Sequence, residues 1–198
     1  MYRGSNPRIF PIIIVVLVIA LVIAAVFSVG RMIFFSNSSS QDKATDSISS
    51  SLVDTAEGRS VRWAVRGPIV ANEKFQSYQI TVSPTSRSYT VYTGYLDQVV
   101  LTHRYENNRQ AYEQFVYALA KADVTNTRNA ADNDIRGACA TQGLAFVFET
   151  AKDGTADQSE WTTTCAGSKG TMTAKPAQVQ ALFVNQIPDF SPKFDEIY

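Results

Sequence analysis

Few side chains in this sequence could do chemistry. Its two cysteines, Cys139 and Cys165, are the first candidates. Without a Cys-x-x-Cys spacing or a neighbouring histidine, a lone pair outside the cytoplasm reads as a disulfide rather than a redox or nucleophilic thiol. Closing a loop of that length stabilises a fold by about 3–4 kcal/mol in the chain-entropy model. His103 is the only histidine. It is the one imidazole base available to a hydrolase, but no Gly-x-Ser-x-Gly elbow or Ser-x-x-Lys accompanies it in the globular part. A structural, half-buried histidine on a strand is the simpler expectation.

Three other groups invite a test. Asp132-Asn133-Asp134-Ile135-Arg136-Gly137 begins like a calcium loop. Arg136 stands at the fifth position and Gly143 at the twelfth, where ligands are needed, so a polar loop is expected. Asp153, Asp157 and Glu160 could pair as in glycoside hydrolysis, although carboxylates on a turn are ordinarily solvated. Arg59, Arg62 and Arg66 could face anionic head groups or cell-wall polymers. No phosphate loop or dinucleotide fingerprint occurs, so no cofactor, no metal and no catalytic residue is assigned. Eighteen Lys+Arg balance eighteen Asp+Glu. No basic excess speaks for nucleic acid.

The elements that must position these residues divide the chain in four. Residues 1–8 form a short tail expected in the cytoplasm. No charged residue lies between Arg8 and Arg31, and Pro11 to Val29 reads PIIIVVLVIALVIAAVFSV. At about 1.5 Å per residue this run spans roughly 28 Å, close to the hydrocarbon thickness of a bilayer. A transmembrane helix over 9–31 is expected, with the lipid bilayer as its partner. Arg3, Arg8 and the amino group precede it, so the positive-inside rule puts the N-terminus in the cytoplasm and the bulk of the chain outside. A cleaved signal peptide would have a shorter apolar run and a small-x-small site better than Ser28-Val29-Gly30. Residues 32–60 are expected to be a flexible linker: eight of the sixteen residues from Ser36 to Ser51 are serine, a composition that buries too little surface to order itself.

Residues 61–198 read as one extracytoplasmic domain. Val61–Val65 alternates like a strand and stops at Gly67-Pro68. Phe75–Val82 and Tyr89–Tyr92 flank a Ser83–Ser86 turn and predict an antiparallel hairpin. Gln98–Tyr105 adds a strand with Val99, Leu101, His103 and Tyr105 on one face. Asn107 or Asn108 caps a helix over Gln110–Ala122 whose inner face is Tyr112, Phe115, Val116 and Leu119. After a polar loop over Asp123–Arg136, Leu144–Thr150 and Ser159–Cys165 predict a second hairpin turning near Gly154, which places Cys165 opposite about Gly143. A last helix starts at Pro176. The order β-β-β-β-α-β-β-α argues for an α+β fold: an antiparallel sheet with two packed helices.

The stretch Val65–Pro84 (VRGPIVANEKFQSYQITVSP), behind an apolar anchor and a Ser-rich linker, resembles uncharacterised single-pass envelope proteins of Saccharibacteria-type reduced-genome bacteria. The resemblance implies an envelope location and no particular activity. Type IV pilins share an apolar N-terminal helix, but their pattern needs a Glu in its first turn, and Ile9 to Ile14 holds none. The expected function is a non-enzymatic binding or structural module of the cell envelope with a protein or surface-polymer partner. A membrane-tethered hydrolase and a secretion or pilus component are the alternatives.

Overall fold

The computed structural model describes residues 48–128, 134–138, 142–167 and 169–190. The expected cytoplasmic tail, the membrane helix over 9–31 and linker residues 32–47 lie outside them, as does Cys139. Among the described residues no helix is long and apolar enough to cross a membrane.

The element order is the expected one. Strands β1 (Arg59–Arg66), β2 (Gln76–Val82), β3 (Ser86–Thr93) and β4 (Gln98–Glu106) precede helix α1 (Arg109–Lys121); β5 (Ala145–Lys152), β6 (Thr155–Thr163) and helix α2 (Pro176–Val184) follow. One six-stranded sheet results, ordered β4-β3-β2-β1-β5-β6, with every neighbouring pair antiparallel. Strand alternation sends Val61, Trp63 and Val65, then Tyr78, Ile80 and Val82, to one face. There they join Tyr112, Phe115, Val116 and Leu119 of α1 and Val179 and Phe183 of α2 in a single core. Asn108 is the N-cap of α1, its side chain accepting from the Ala111 amide at 2.9 Å. Asn107 instead donates to the Ser83 carbonyl at 2.7 Å and fastens the β2–β3 turn.

Turn chemistry fixes the second hairpin. Lys152 faces Thr155, leaving Asp153-Gly154 as a two-residue loop with φ of 50° and 82°. Positive φ at both positions matches the twist of the flanking strands, and Asp-Gly is the pair that tolerates it. The outer edge of β6 is sealed by the chain returning over 169–172. Met172 N donates to the Trp161 carbonyl at 3.0 Å and the Thr162 hydroxyl to the Lys169 carbonyl at 3.0 Å. Gly170, at φ +59°, passes so close that a Cβ there would lie 2.2 Å from the Trp161 carbonyl oxygen.

Two expectations are corrected. The linker does not run to residue 60: residues 48–53 are helical, and Ile48 and Leu52 are fully buried. Their four-residue spacing places both on one face of a helical turn, which outweighs the serine-rich surroundings once a sheet is there to receive it. On β4, Val99 does not share a face with Leu101. Val91 faces Leu101 while Tyr92 faces Val99, so the strand carries one extra residue, and a bulge reverses the side-chain alternation. Val99 and Val100 are accordingly exposed.

Candidate functional site

The helices cover one face of the sheet, and the other face holds the site. On β1 the outward residues are Ser60, Arg62, Ala64 and Arg66. Cross-strand registry sets Arg66 beside Ser77 and Ser77 beside Tyr92. Ala64 lies between Gln79 and Val147, and Arg62 between Thr81 and Glu149. The floor thus carries small side chains at Ala64 and Ser77, and larger polar and aromatic ones stand around it. This size difference opens a cleft of about 350 Å³ over β1, β2 and β5, bounded by Tyr92, Asp97 and Glu149 and by Ile135 from the 134–138 segment. A second cleft of about 370 Å³ continues past Arg62 to Thr81, Arg104 and the Ser83–Ser86 turn.

Charges of both signs line this face without closing on each other. Arg62 Nη1 lies 3.7 Å from Glu149 Oε2 and Arg66 Nη2 lies 4.0 Å from Asp97 Oδ1. The Arg62 guanidinium is steadied by donating to the Gly154 carbonyl at 2.6 Å, and that of Arg66 sits 5.5 Å from the centre of the Phe75 ring. Gln79 donates to the Thr81 hydroxyl at 3.0 Å. Burial pushes the Tyr92 phenol above its ordinary value, with Asp97 adding to the rise and Thr90 and Arg62 opposing it. Its hydroxyl is therefore neutral throughout the physiological range, able to donate and to accept.

The arginine triplet is divided between the two faces. Arg62 and Arg66 border the groove. Arg59, 3% exposed, points to the helix side, where its Nη1 lies 2.5 Å from Asp157 Oδ2 and its Nη2 donates to the Ser51 carbonyl at 2.6 Å. His103 is half-buried on the helix-facing side of β4, opposite Tyr89, and borders neither cleft. The carboxylates do not converge. Asp153 sits in an exposed turn. Asp157 is the extra residue of a bulge, since Thr150 faces Gln158 and Ala151 faces Ala156. Glu160 pairs with Phe148 on the buried side. From the calcium-like run, Asp132 and Asn133 lie outside the described residues. Side-chain hydrogen bonds from Arg136 hold the Asp134 carboxyl down at about 2. Among the described residues no three His, Cys, Asp or Glu side chains come together as a metal would require.

Glu160 supports a prediction. It is 9% exposed and its Oε2 has no hydrogen-bond partner among the described residues. Burial raises its carboxyl above the ordinary value, opposed by a hydrogen bond with Thr171. A raised folded-state pKa means stability that is fully present below the unfolded value, about 4.3, and lost as pH rises through the folded value. Glu160→Gln removes that loss. It is expected to stabilise the domain at pH 7 by about 1 kcal/mol, a gain that disappears below about pH 4. Urea unfolding at both pH values checks it; a variant less stable at pH 7 would show that the charged carboxylate is compensated.

The groove was missed in the sequence, although its signal was there: small residues alternate with arginines on β1. No family model matches the chain, and no curated protein matches it.

Proposed function

We propose that this chain is a single-pass, membrane-anchored protein of the cell envelope whose extracytoplasmic domain is a binding module, not an enzyme. The observation that carries the binding role is the outer face of the sheet: a cleft with a small-residue floor at Ala64 and Ser77, ringed by hydrogen-bonding groups on rigid strands. Ligand sites are commonly concavities of this size with a few placed polar groups. His103, the one histidine, lies on the opposite side of the sheet, which favours binding over hydrolysis. The anchor is the uncharged run between Arg8 and Arg31. Because Ile48 and Leu52 are already fully buried and Leu52 joins the domain's core, we assign the tether to residues 32–47.

An extracytoplasmic location fits a Cys139–Cys165 disulfide. No free cysteine occurs among the described residues, and Cys165 Sγ lies 2.8 Å from the carbonyl oxygen of Gln142, three residues beyond Cys139. Thr164 N donates to the Leu144 carbonyl at 3.0 Å. The second hairpin thus sets Cys165 beside Gln142, which supports this pairing.

The test is a membrane-impermeant protease added to intact cells making the full chain. Cleavage within residues 32–47, releasing a folded fragment whose mobility changes on reduction, is the expected result. Protection until lysis overturns the orientation, and recovery of the intact chain in the soluble fraction overturns the anchor.

A further inference from the structure

The outer face also indicates what it would hold. We propose that the groove binds an uncharged, extended glycan, a hexose or N-acetylhexosamine oligomer lying along β1; this rests on the reading of that face as the binding surface.

Shape is the first argument. The clefts of about 350 and 370 Å³ lie end to end on one face, divided at Arg62 and Glu149. Ser60 to Arg66 covers six strand steps, about 20 Å at roughly 3.3 Å each, so the occupant is an elongated molecule. Chemistry is the second. Arg62 and Arg66 offer only donors, Glu149 and Asp97 only acceptors, and Gln79, Ser77 and Tyr92 both. The two Arg–carboxylate pairs stand 3.7 and 4.0 Å apart, too far for direct hydrogen bonds. A hydroxyl group, which donates and accepts at once, can bridge each gap. Sugars present such hydroxyls in series, and the Tyr92 ring offers an apolar wall to the C–H face of a pyranose.

The same features disfavour other occupants. A polyanion meets Glu149 and Asp97, and a polycation meets Arg62 and Arg66. An extended peptide gains from an open strand edge, yet the floor strands β1, β2 and β5 are paired on both sides.

The experiment is a calorimetric titration of the full chain in lipid nanodiscs, or in buffer should it prove soluble, with chitotetraose and with cellotetraose. Saturable binding of at least one oligomer is expected. Tyr92→Ala should weaken it about tenfold or more, and Ala64→Trp, which fills the floor, should abolish it. Circular dichroism melts verify that both variants fold; if Ala64→Trp does not, Ser77→Phe replaces it. No saturable binding of either oligomer by the folded wild type overturns the proposal, as does binding that both groove variants leave unchanged. Binding of poly-glutamate, poly-lysine or a neutral peptide in place of the sugars overturns the glycan assignment. A chain that binds sugar but is recovered in the soluble fraction refutes the anchor and leaves the groove standing.

Discussion

Replacing Trp63 by alanine is expected to lower the unfolding free energy of the domain by about 3–5 kcal/mol. Trp63 sits at the middle of β1, the third strand from the β6 edge, and is fully buried. Its ring stacks at 5.5 Å on Phe146 of the neighbouring strand and at 6.0 Å on Phe183 of α2. Phe183 in turn meets Phe115 of α1 edge-on at 5.1 Å. Trp63 therefore joins the sheet to α2 directly and to α1 through Phe183. Its removal leaves a cavity bounded by three elements that cannot all move in, so little of the lost contact is regained. Against a typical total of about 5–15 kcal/mol, such a loss leaves the domain near its unfolding threshold. Because Trp63 and Phe183 share one contact, Trp63→Ala with Phe183→Ala should cost less than the sum of the single changes. Urea melts of the three variants measure this. A single-variant loss below about 1 kcal/mol would mean that these rings do not organise the core.

Breaking the Arg59–Asp157 pair has the next largest effect. Asp157→Ala is expected to destabilise by about 2 kcal/mol, the range of a hydrogen bond to a charged group rather than of a fully buried pair, because Asp157 is itself 34% exposed and Asp54 Oδ2 remains 3.6 Å from Arg59 Nε. The cost arises from the arginine left behind. At 3% exposure Arg59 cannot recover water, and the bulge aims Asp157 at it. The proposed origin makes a further demand: Arg59→Met combined with Asp157→Val, which leaves no charge to orphan, should be nearly neutral. Acid gives an independent check. Burial pushes the Asp157 carboxyl up, but the Thr150 hydroxyl and the Arg59 guanidinium outweigh it and hold the group below its ordinary value. Stability from a depressed carboxyl is present above the unfolded value, near 3.9, and lost as pH falls through the folded value. The gap between wild type and Asp157→Ala should thus be full at pH 7 and narrow below about pH 4. A gap that does not vary with pH would assign the loss to packing instead.

Both residues show how far the sequence could be read. Trp63 shares its face with Val61 and Val65 because alternation along β1 is a local property with period two. The pairing of Arg59 was not legible. Its partner is 98 positions away, and a one-residue bulge in β6 decides that Asp157 meets it. Grouping Arg59, Arg62 and Arg66 by proximity in sequence hid a strand's basic consequence: neighbours of odd spacing point to opposite sides. The serine-rich run misled in the other direction. Its composition favours disorder, yet two apolar residues four apart were enough to dock a helical turn.

The sequence by itself determined the order of the elements, the inward face of each strand up to its bulges, the helical cap near Asn107–Asn108 and the Asp153-Gly154 turn. All of these follow from periodicity and backbone preference within a few residues. Tertiary structure alone decided that the second hairpin pairs with β1, that Tyr92, Arg66 and Glu149 border one cleft, and that His103 is excluded from it. Those outcomes depend on register between segments distant along the chain. Register is set by the summed burial of a whole face against the entropy of closing long loops, a balance that no short stretch of residues contains.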